Sequence, residues 1–155
     1  MTGLLSQKII IMGIADKLAG LREDKITANL KAGEDFLATN KLRPEVTETE
    51  SGLQYEVLIL GTGGKPLSSS TVTCHYHGTL LDGSVFDSSV HRGQTASFPL
   101  NRVIKGWTEG LQLMPAGSKF RFFIHPNLAY GDRQISAQIG ANSTLIFDVE
   151  LIDFK

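Results

Sequence analysis

Cysteine is nearly missing from this chain: Cys74 stands alone among 155 residues. No internal disulfide can form, which excludes a small secreted fold held by staples. An excess of charge of either sign is missing too, since 15 Lys and Arg against 16 Asp and Glu leave a formal net charge of -1 with the histidines neutral. A chain so balanced has no long-range attraction for nucleic acid or anionic lipid. No run approaches the ~20 apolar residues that cross a bilayer, so no membrane span is expected. The run IIIMGIA has only Lys8 before it and is broken by Asp16 and Lys17, where a secretory signal needs small neutral residues. The expected compartment is the cytoplasm, with the periplasm or cell surface as the alternative if a leader has been removed.

Reactive clusters are equally scarce. Cys74 shares a strand face with Val72 and Tyr76 and reads as a core thiol. His75 and His77 at i, i+2 have no nearby Cys or carboxylate pair to complete a ligand set. The glycines of LGTGGKP lack the GK[ST] ending of a phosphate loop. No two carboxylates are placed for acid–base work. Neither a metal nor a cofactor is expected.

What is present falls into two halves. Apolar residues make up 41% of the chain, enough for a proper core. From Leu4 to about Arg43, Ile11, Ile14, Leu18 and Leu21 recur at helical steps, and Ile26, Leu30 and Phe36 or Leu37 continue them. Gly20 and the cluster Arg22-Glu23-Asp24 suggest a break, with Thr27 capping a second helix and Pro44 ending it. Short helices carrying Ile9, Ile10, Ile11, Ile14 and Leu18 are marginal alone. They must pack either on the remainder of their own chain or on a second copy. The second copy is favoured, because the polar stretch EVTETES separates these helices from the C-terminal two-thirds of the chain.

From Gly52 the period becomes two. Leu53–Ile59, Thr71–His77, Phe120–His125 and Leu145–Ile152 alternate as strands with one apolar face. In KGWTEGLQLMPAG, Trp107, Leu111 and Met114 fall at i, i+4 and i+7, a short helix stopped by Pro115 and Gly117. The expected fold is α+β, a curved antiparallel β-sheet wrapped over one short α-helix and preceded by an α-helical N-terminal segment. The expected organisation is a helical segment over 1–44, a linker over 45–51 and a sheet domain over 52–155. Aromatic and branched residues gather at strand ends and at the helix start, and FD at Phe86-Asp87 sets a carboxylate directly beside a ring.

The segments VTCHYHGTLLDGSVFDSS, VIKGWTEGLQLMPAGSKFRFFI, LAYG and STLIFDVELI occur in that order. Together, from about Gly52 to Lys155, they resemble the FK506-binding type of peptidyl-prolyl isomerase. The front, with MGIADKLAG and GEDFLATNK leading into ESGLQYEVL, is similar to a shortened form of the dimerisation segment of the macrophage infectivity potentiator branch of bacterial members. The resemblance implies a peptidyl-prolyl cis-trans isomerase that turns X-Pro bonds in proline-containing polypeptides and assists their folding. It also implies inhibition by macrolides such as FK506 and rapamycin, and a homodimer joined through the N-terminal helices. Carried over by motif, Asp87, Tyr130, Ile104, Phe86 and Tyr76 take the catalytic part. Trp107, Phe98, Val103, Phe147 and the rim residue Ile139 hold the proline. Separately from the motif, a carboxylate that stays ionised in a poorly hydrated site needs support, and Arg92 with the Tyr76 hydroxyl is the candidate for it. Gly140-Ala141 stand where many relatives have two prolines, and Arg102 where many are acidic or neutral.

Overall fold

A computed structural model describes the backbone of residues 2–155, and the side chains of residue 17 and of residues 20–155. The alternation in TVTCHYHGT produces β3 (Thr71–Thr79), whose Val72, Cys74 and Tyr76 point inward and are buried. This strand is the hub of a seven-stranded sheet. Along one edge it pairs antiparallel with β7 (Leu145–Phe154). Its other edge is shared by β4 (Val85–Ser88) and β5 (Ala96–Pro99). Beyond β7 lie β6 (Lys119–Ile124), β2 (Gln54–Ile59) and β1 (Val46–Glu48), each antiparallel to its neighbour.

One short helix covers the inner face. Before it, α2 (Ser89–Arg92) makes a single turn after β4. The covering helix is α3 (Lys105–Leu111), which buries Trp107 and Leu111 against Leu53, Phe120, Phe122, Val149 and Leu151, with Met114 just past its end. Large side chains pack there with no polar partner required, so the hydrophobic effect supplies most of the stabilisation, at roughly 1.5–3 kcal/mol for each fully buried side chain.

The N-terminal half departs from the two-helix expectation. A continuous helix, α1 (Thr2–Asn40), runs through Gly20, the charged cluster and Thr27, which is exposed and caps nothing. A glycine inside a helix costs only ~1 kcal/mol relative to alanine, and the Ala, Leu, Lys, Arg and Glu residues around it are good helix formers. Charges interrupt an apolar pattern without interrupting a hydrogen-bond ladder. The helix ends at Asn40, whose side chain donates to Gln54 Oε1 at 2.9 Å and accepts from Arg43 Nε at 3.0 Å.

The last turns of α1 pack on the outer face of the same chain's sheet. Phe36 and Leu37 meet Val46, Phe123 and Ile146 in a second small core. Phe123, which alternation places on the outer face, is therefore buried after all. The stretch expected as a polar linker contains β1, because Val46 belongs to this cluster. Packing on a second copy was expected of Ile9, Ile10, Ile11, Ile14 and Leu18, whose side chains lie outside the described residues. Among the described residues no helix is long and apolar enough to cross a membrane.

Candidate active site

Where β3 approaches Thr79 the core stays open, leaving a cavity of about 520 Å³. Its floor is Trp107, on the first turn of α3 and 5% exposed. Three rings meet the indole close to perpendicular: Tyr76 at 5.4 Å, Phe98 at 5.6 Å and Phe147 at 5.3 Å between centroids. Phe86 stands edge-on to Phe147 at 5.3 Å. Edge-to-face contacts of this kind stabilise by about 0.5–1.5 kcal/mol beyond area burial, so the cup holds its shape without a ligand. The indole Nε1 is buried with no hydrogen-bond partner among the described residues.

A strand should send Phe86 and Asp87 to opposite faces, yet both line this cavity. The reason is local. The pairing of β3 with β4 slips between Gly78 and Thr79, and such irregularities bend and twist a strand. Gly78 is essential to the arrangement: a Cβ there would come within 2.8 Å of Phe86 Cε2 and 2.9 Å of Phe147 Cε1.

The carboxylate is held in a closed polar group. Tyr76 Oη donates to Asp87 Oδ2 at 2.6 Å, and Arg92 Nη2 donates to Tyr76 Oη at 2.8 Å. Arg92 Nη1 pairs with Asp87 Oδ1, and the guanidinium lies 5.7 Å from the Tyr76 ring centroid. The one-turn helix α2 delivers Arg92 because Ser88 caps its start, accepting from His91 N, and Gly93 at φ 69° ends it. The buried Ser89 ties this turn to β3, accepting from Tyr76 N at 2.7 Å and donating to Tyr76 O at 3.2 Å.

These contacts set the charges. Burial pushes the Asp87 carboxyl up, but the bonds from Tyr76 and Arg92 and the arginine charge outweigh it, and the net shift is downward. Burial, then the bond to Asp87, pushes the Tyr76 phenol up. Tyr130 is likewise raised, by burial first and then by the Asp87 charge. At neutral pH Asp87 is therefore a carboxylate and Tyr76 and Tyr130 are neutral phenols, all three on the cavity wall.

The residues that the resemblance assigns to the proline site come together here. Tyr76, Phe86, Asp87, Phe98, Val103, Ile104, Trp107, Tyr130, Ile139 and Phe147 line the cavity, and Arg92 stands behind Asp87. Ile104 immediately precedes α3, where backbone N–H groups have no partner inside the helix. Arg102 sits at the mouth, and Ile135 and Ser136 join Ile139 along the rim. Ile135 and Ser136 escaped sequence reading because an irregular loop has no period to tell which of its side chains turn toward the cavity. His75 and His77 do not gather ligands; their Nδ1 atoms bond Ser89 and Ser88, and among the described residues no three His, Cys, Asp or Glu form a metal cluster.

A family model described as FKBP-type peptidyl-prolyl cis-trans isomerase matches residues 63–152. The chain belongs to this family. A second model, the domain amino terminal to FKBP-type peptidyl-prolyl isomerase, matches residues 5–57. The FKBP-type peptidyl-prolyl cis-trans isomerase FkpA of Aeromonas hydrophila is 54% identical over 138 residues, covering 88% of this chain and 51% of that protein. The outer membrane protein MIP of Legionella longbeachae is 50% identical over 131 residues, covering 84% of this chain and 56% of that one. The crystal structure of FkpA from Escherichia coli superposes with a TM-score of 0.88 at 37% identity, covering 97% of this chain and 70% of that one. The chain thus spans about half the length of these curated relatives.

Proposed function

We propose that the cavity catalyses cis–trans rotation about X-Pro bonds in polypeptides. The observation that carries this reading is a solvent-open cup of aromatic rings with an ionised carboxylate fixed on its wall. Rotating a peptide bond makes and breaks no covalent bond, but resonance raises a barrier of ~18–20 kcal/mol and uncatalysed exchange takes ~10–100 s. Reaching ~100 turnovers per second from there is a gain of about three to four powers of ten, which needs roughly 4–6 kcal/mol of transition-state stabilisation at ~1.4 kcal/mol per tenfold. Non-covalent effects of a few kcal/mol each are sufficient for that.

In this reading the proline ring rests on Trp107 between Tyr76, Phe98, Val103 and Phe147. The planar amide is strongly dipolar, and the twisted one has lost its resonance. A poorly hydrated aromatic site therefore disfavours the planar form more, which is differential binding of the transition state. The Ile104 N–H and the Tyr130 hydroxyl anchor carbonyls flanking the rotating bond, and Phe86 with Ile139 closes the sides. Asp87, kept ionised by Tyr76 and Arg92, sets a negative field beside the carbonyl as it leaves its plane.

The same cup suits proline-mimicking macrolides such as FK506 and rapamycin as inhibitors, and the same contacts suit a holding or chaperone role toward proline-containing segments. A homodimer through α1 is supported by Leu21, which is 64% exposed on the described part of that helix. For the compartment we favour the cell envelope, the alternative named from sequence, over the cytoplasm; its support is that the MIP relative is named an outer membrane protein. The functional test is isomer exchange in an X-Pro tetrapeptide, followed by NMR. Wild-type chain should accelerate it and Asp87→Leu should slow it about tenfold or more without altering the circular dichroism spectrum. An inactive wild type would refute the assignment, and an unchanged variant would remove Asp87 from the mechanism.

A further inference from the structure

The rim is the least anchored wall of the cup. Residues 132–138 are all exposed, yet Ile139, which closes the cavity edge, is only 6% exposed. Its own bonds do not explain this. Ile139 N donates to Ser136 Oγ at 3.0 Å and its carbonyl accepts from Ile135 N at 3.0 Å, but both partners belong to the same exposed stretch and would move with it. Anchors from outside are needed. Asn142 N donates to Gly131 O at 2.8 Å and closes the loop base, and the exposed Gln138 Nε2 reaches Val85 O at 3.3 Å.

The remaining anchor comes from the N-terminal helix. Asn29 Nδ2 donates to Ala141 O at 3.0 Å across 112 residues of sequence. Ala141 is itself 6% exposed and lies two residues from Ile139, no more than ~7 Å along the chain. One turn further along the same helix face, Gly33 lies so close to Thr144 that an added Cβ would overlap its hydroxyl and come within 3.0 Å of its Cβ. Thr144 is 2% exposed and directly precedes β7, which carries Phe147. Two positions on α1 thus grip both ends of the segment 141–144.

We propose that Asn29 is a positioning residue for the proline site, holding the rim loop so that Ile139 stays against the cavity. The inference rests on the isomerase reading of that cavity. Without the amide donor, the loop samples arrangements in which Ile139 has withdrawn, and the competent form is a smaller fraction of the population. Apparent affinity falls by that fraction. The group formed by Asp87, Tyr76 and Arg92 is untouched, so the turnover of bound substrate stays the same. The helical half of the chain therefore contributes to substrate binding without touching substrate.

The test uses the full chain and two readouts. NMR isomer exchange over a series of X-Pro peptide concentrations separates KM from kcat, and trypsin cleavage of the exposed Arg133–Gln134 bond, identified by mass spectrometry, reports loop opening. Asn29→Ala should raise KM about two- to tenfold, the range expected for one lost hydrogen bond, with kcat unchanged and cleavage faster. Asn29→Asp keeps the size but sets a carboxylate against a carbonyl, and its effect should be at least as large. Thr27→Ala, on the exposed face, should change neither readout. Unchanged KM and cleavage in both Asn29 variants, even with a lowered melting temperature, would overturn the proposal. So would a fall in kcat at constant KM, or a rise in KM without faster cleavage. An inactive wild type would sink the isomerase reading instead, and the cleavage comparison would still decide the tether.

Discussion

Two glycines of α1 should respond oppositely to the same substitution. At Gly20 nothing lies within 4 Å of an added Cβ, so Gly20→Ala should gain the helix-propensity difference of roughly 0.5–1 kcal/mol. At Gly33 the same gain meets Thr144, where the methyl would overlap the hydroxyl and stand 3.0 Å from the Cβ. Rotating the hydroxyl away leaves the second contact, and a threonine 2% exposed has no free volume to retreat into. Overpacking of this kind costs ~1–3 kcal/mol, so Gly33→Ala should lose about 0–2 kcal/mol net. The two variants should then differ by roughly 1–3 kcal/mol, at about 2–4 °C of Tm per kcal/mol for a chain of this size. Thr144→Ala removes a buried hydroxyl that has no hydrogen-bond partner among the described residues, and should be close to neutral. Combined with Gly33→Ala it should restore part of the loss, a coupling of ~0.5–3 kcal/mol. Urea unfolding followed by the fluorescence of Trp107, the sole tryptophan, measures all four corners of the cycle. If Gly33→Ala stabilises as much as Gly20→Ala, or the pair adds without coupling, the helix does not lie against Thr144.

Three further outcomes are expected at the site. Because the Asp87 pKa lies below its ordinary 3.8 in the folded chain, its contribution to stability is present above that value and is lost only as pH falls through the lower, folded pKa. The stability difference between wild type and Asp87→Asn should thus be flat from neutral pH down to about 4 and close below it; a difference that disappears near pH 6 would contradict the Tyr76 and Arg92 contacts. Cys74, fully buried with a thiol pushed up to about 12 by burial, should resist a thiol-specific disulfide reagent at pH 8 in the native chain and react fully in urea. Trp107→Ala removes the cavity floor at a stability cost of about 3–5 kcal/mol, and on the proposed reading of the cup as a macrolide site it should weaken that binding, followed by calorimetry, at least tenfold; affinity equal to that of the wild type would displace the proline from the indole.

Long alternating strands were legible, and short ones were not. β3 and β7 announce themselves through nine and ten residues of alternation. β1, β4 and β5 have three or four residues each, too few for a period to emerge from local composition. The break expected near Gly20 failed because the sequence signals of a helix end are weak against a run of good helix formers. Phe123 was misjudged for a different reason: alternation tells which face a side chain takes, not what covers that face, and the cover is Phe36 and Leu37 from far upstream. The cavity residues emerged from motif resemblance, since nothing in the spacing of Tyr76, Trp107 and Phe147 says that they meet. Asn29 carries no local signal at all, because its partner lies 112 residues away in an irregular loop.

The perpendicular stacking of Trp107 on Tyr76, Phe98 and Phe147 also divides where this protein is free to diversify. Those rings belong to the packing that keeps the sheet folded, so any change that reshapes the cup's base is paid for in stability before a new client is gained. Ile135, Ser136 and Arg102 touch the opening with little behind them to disturb. Adaptation toward new flanking residues, or escape from an inhibitor, should accumulate at the lip while the hollow beneath stays as it is.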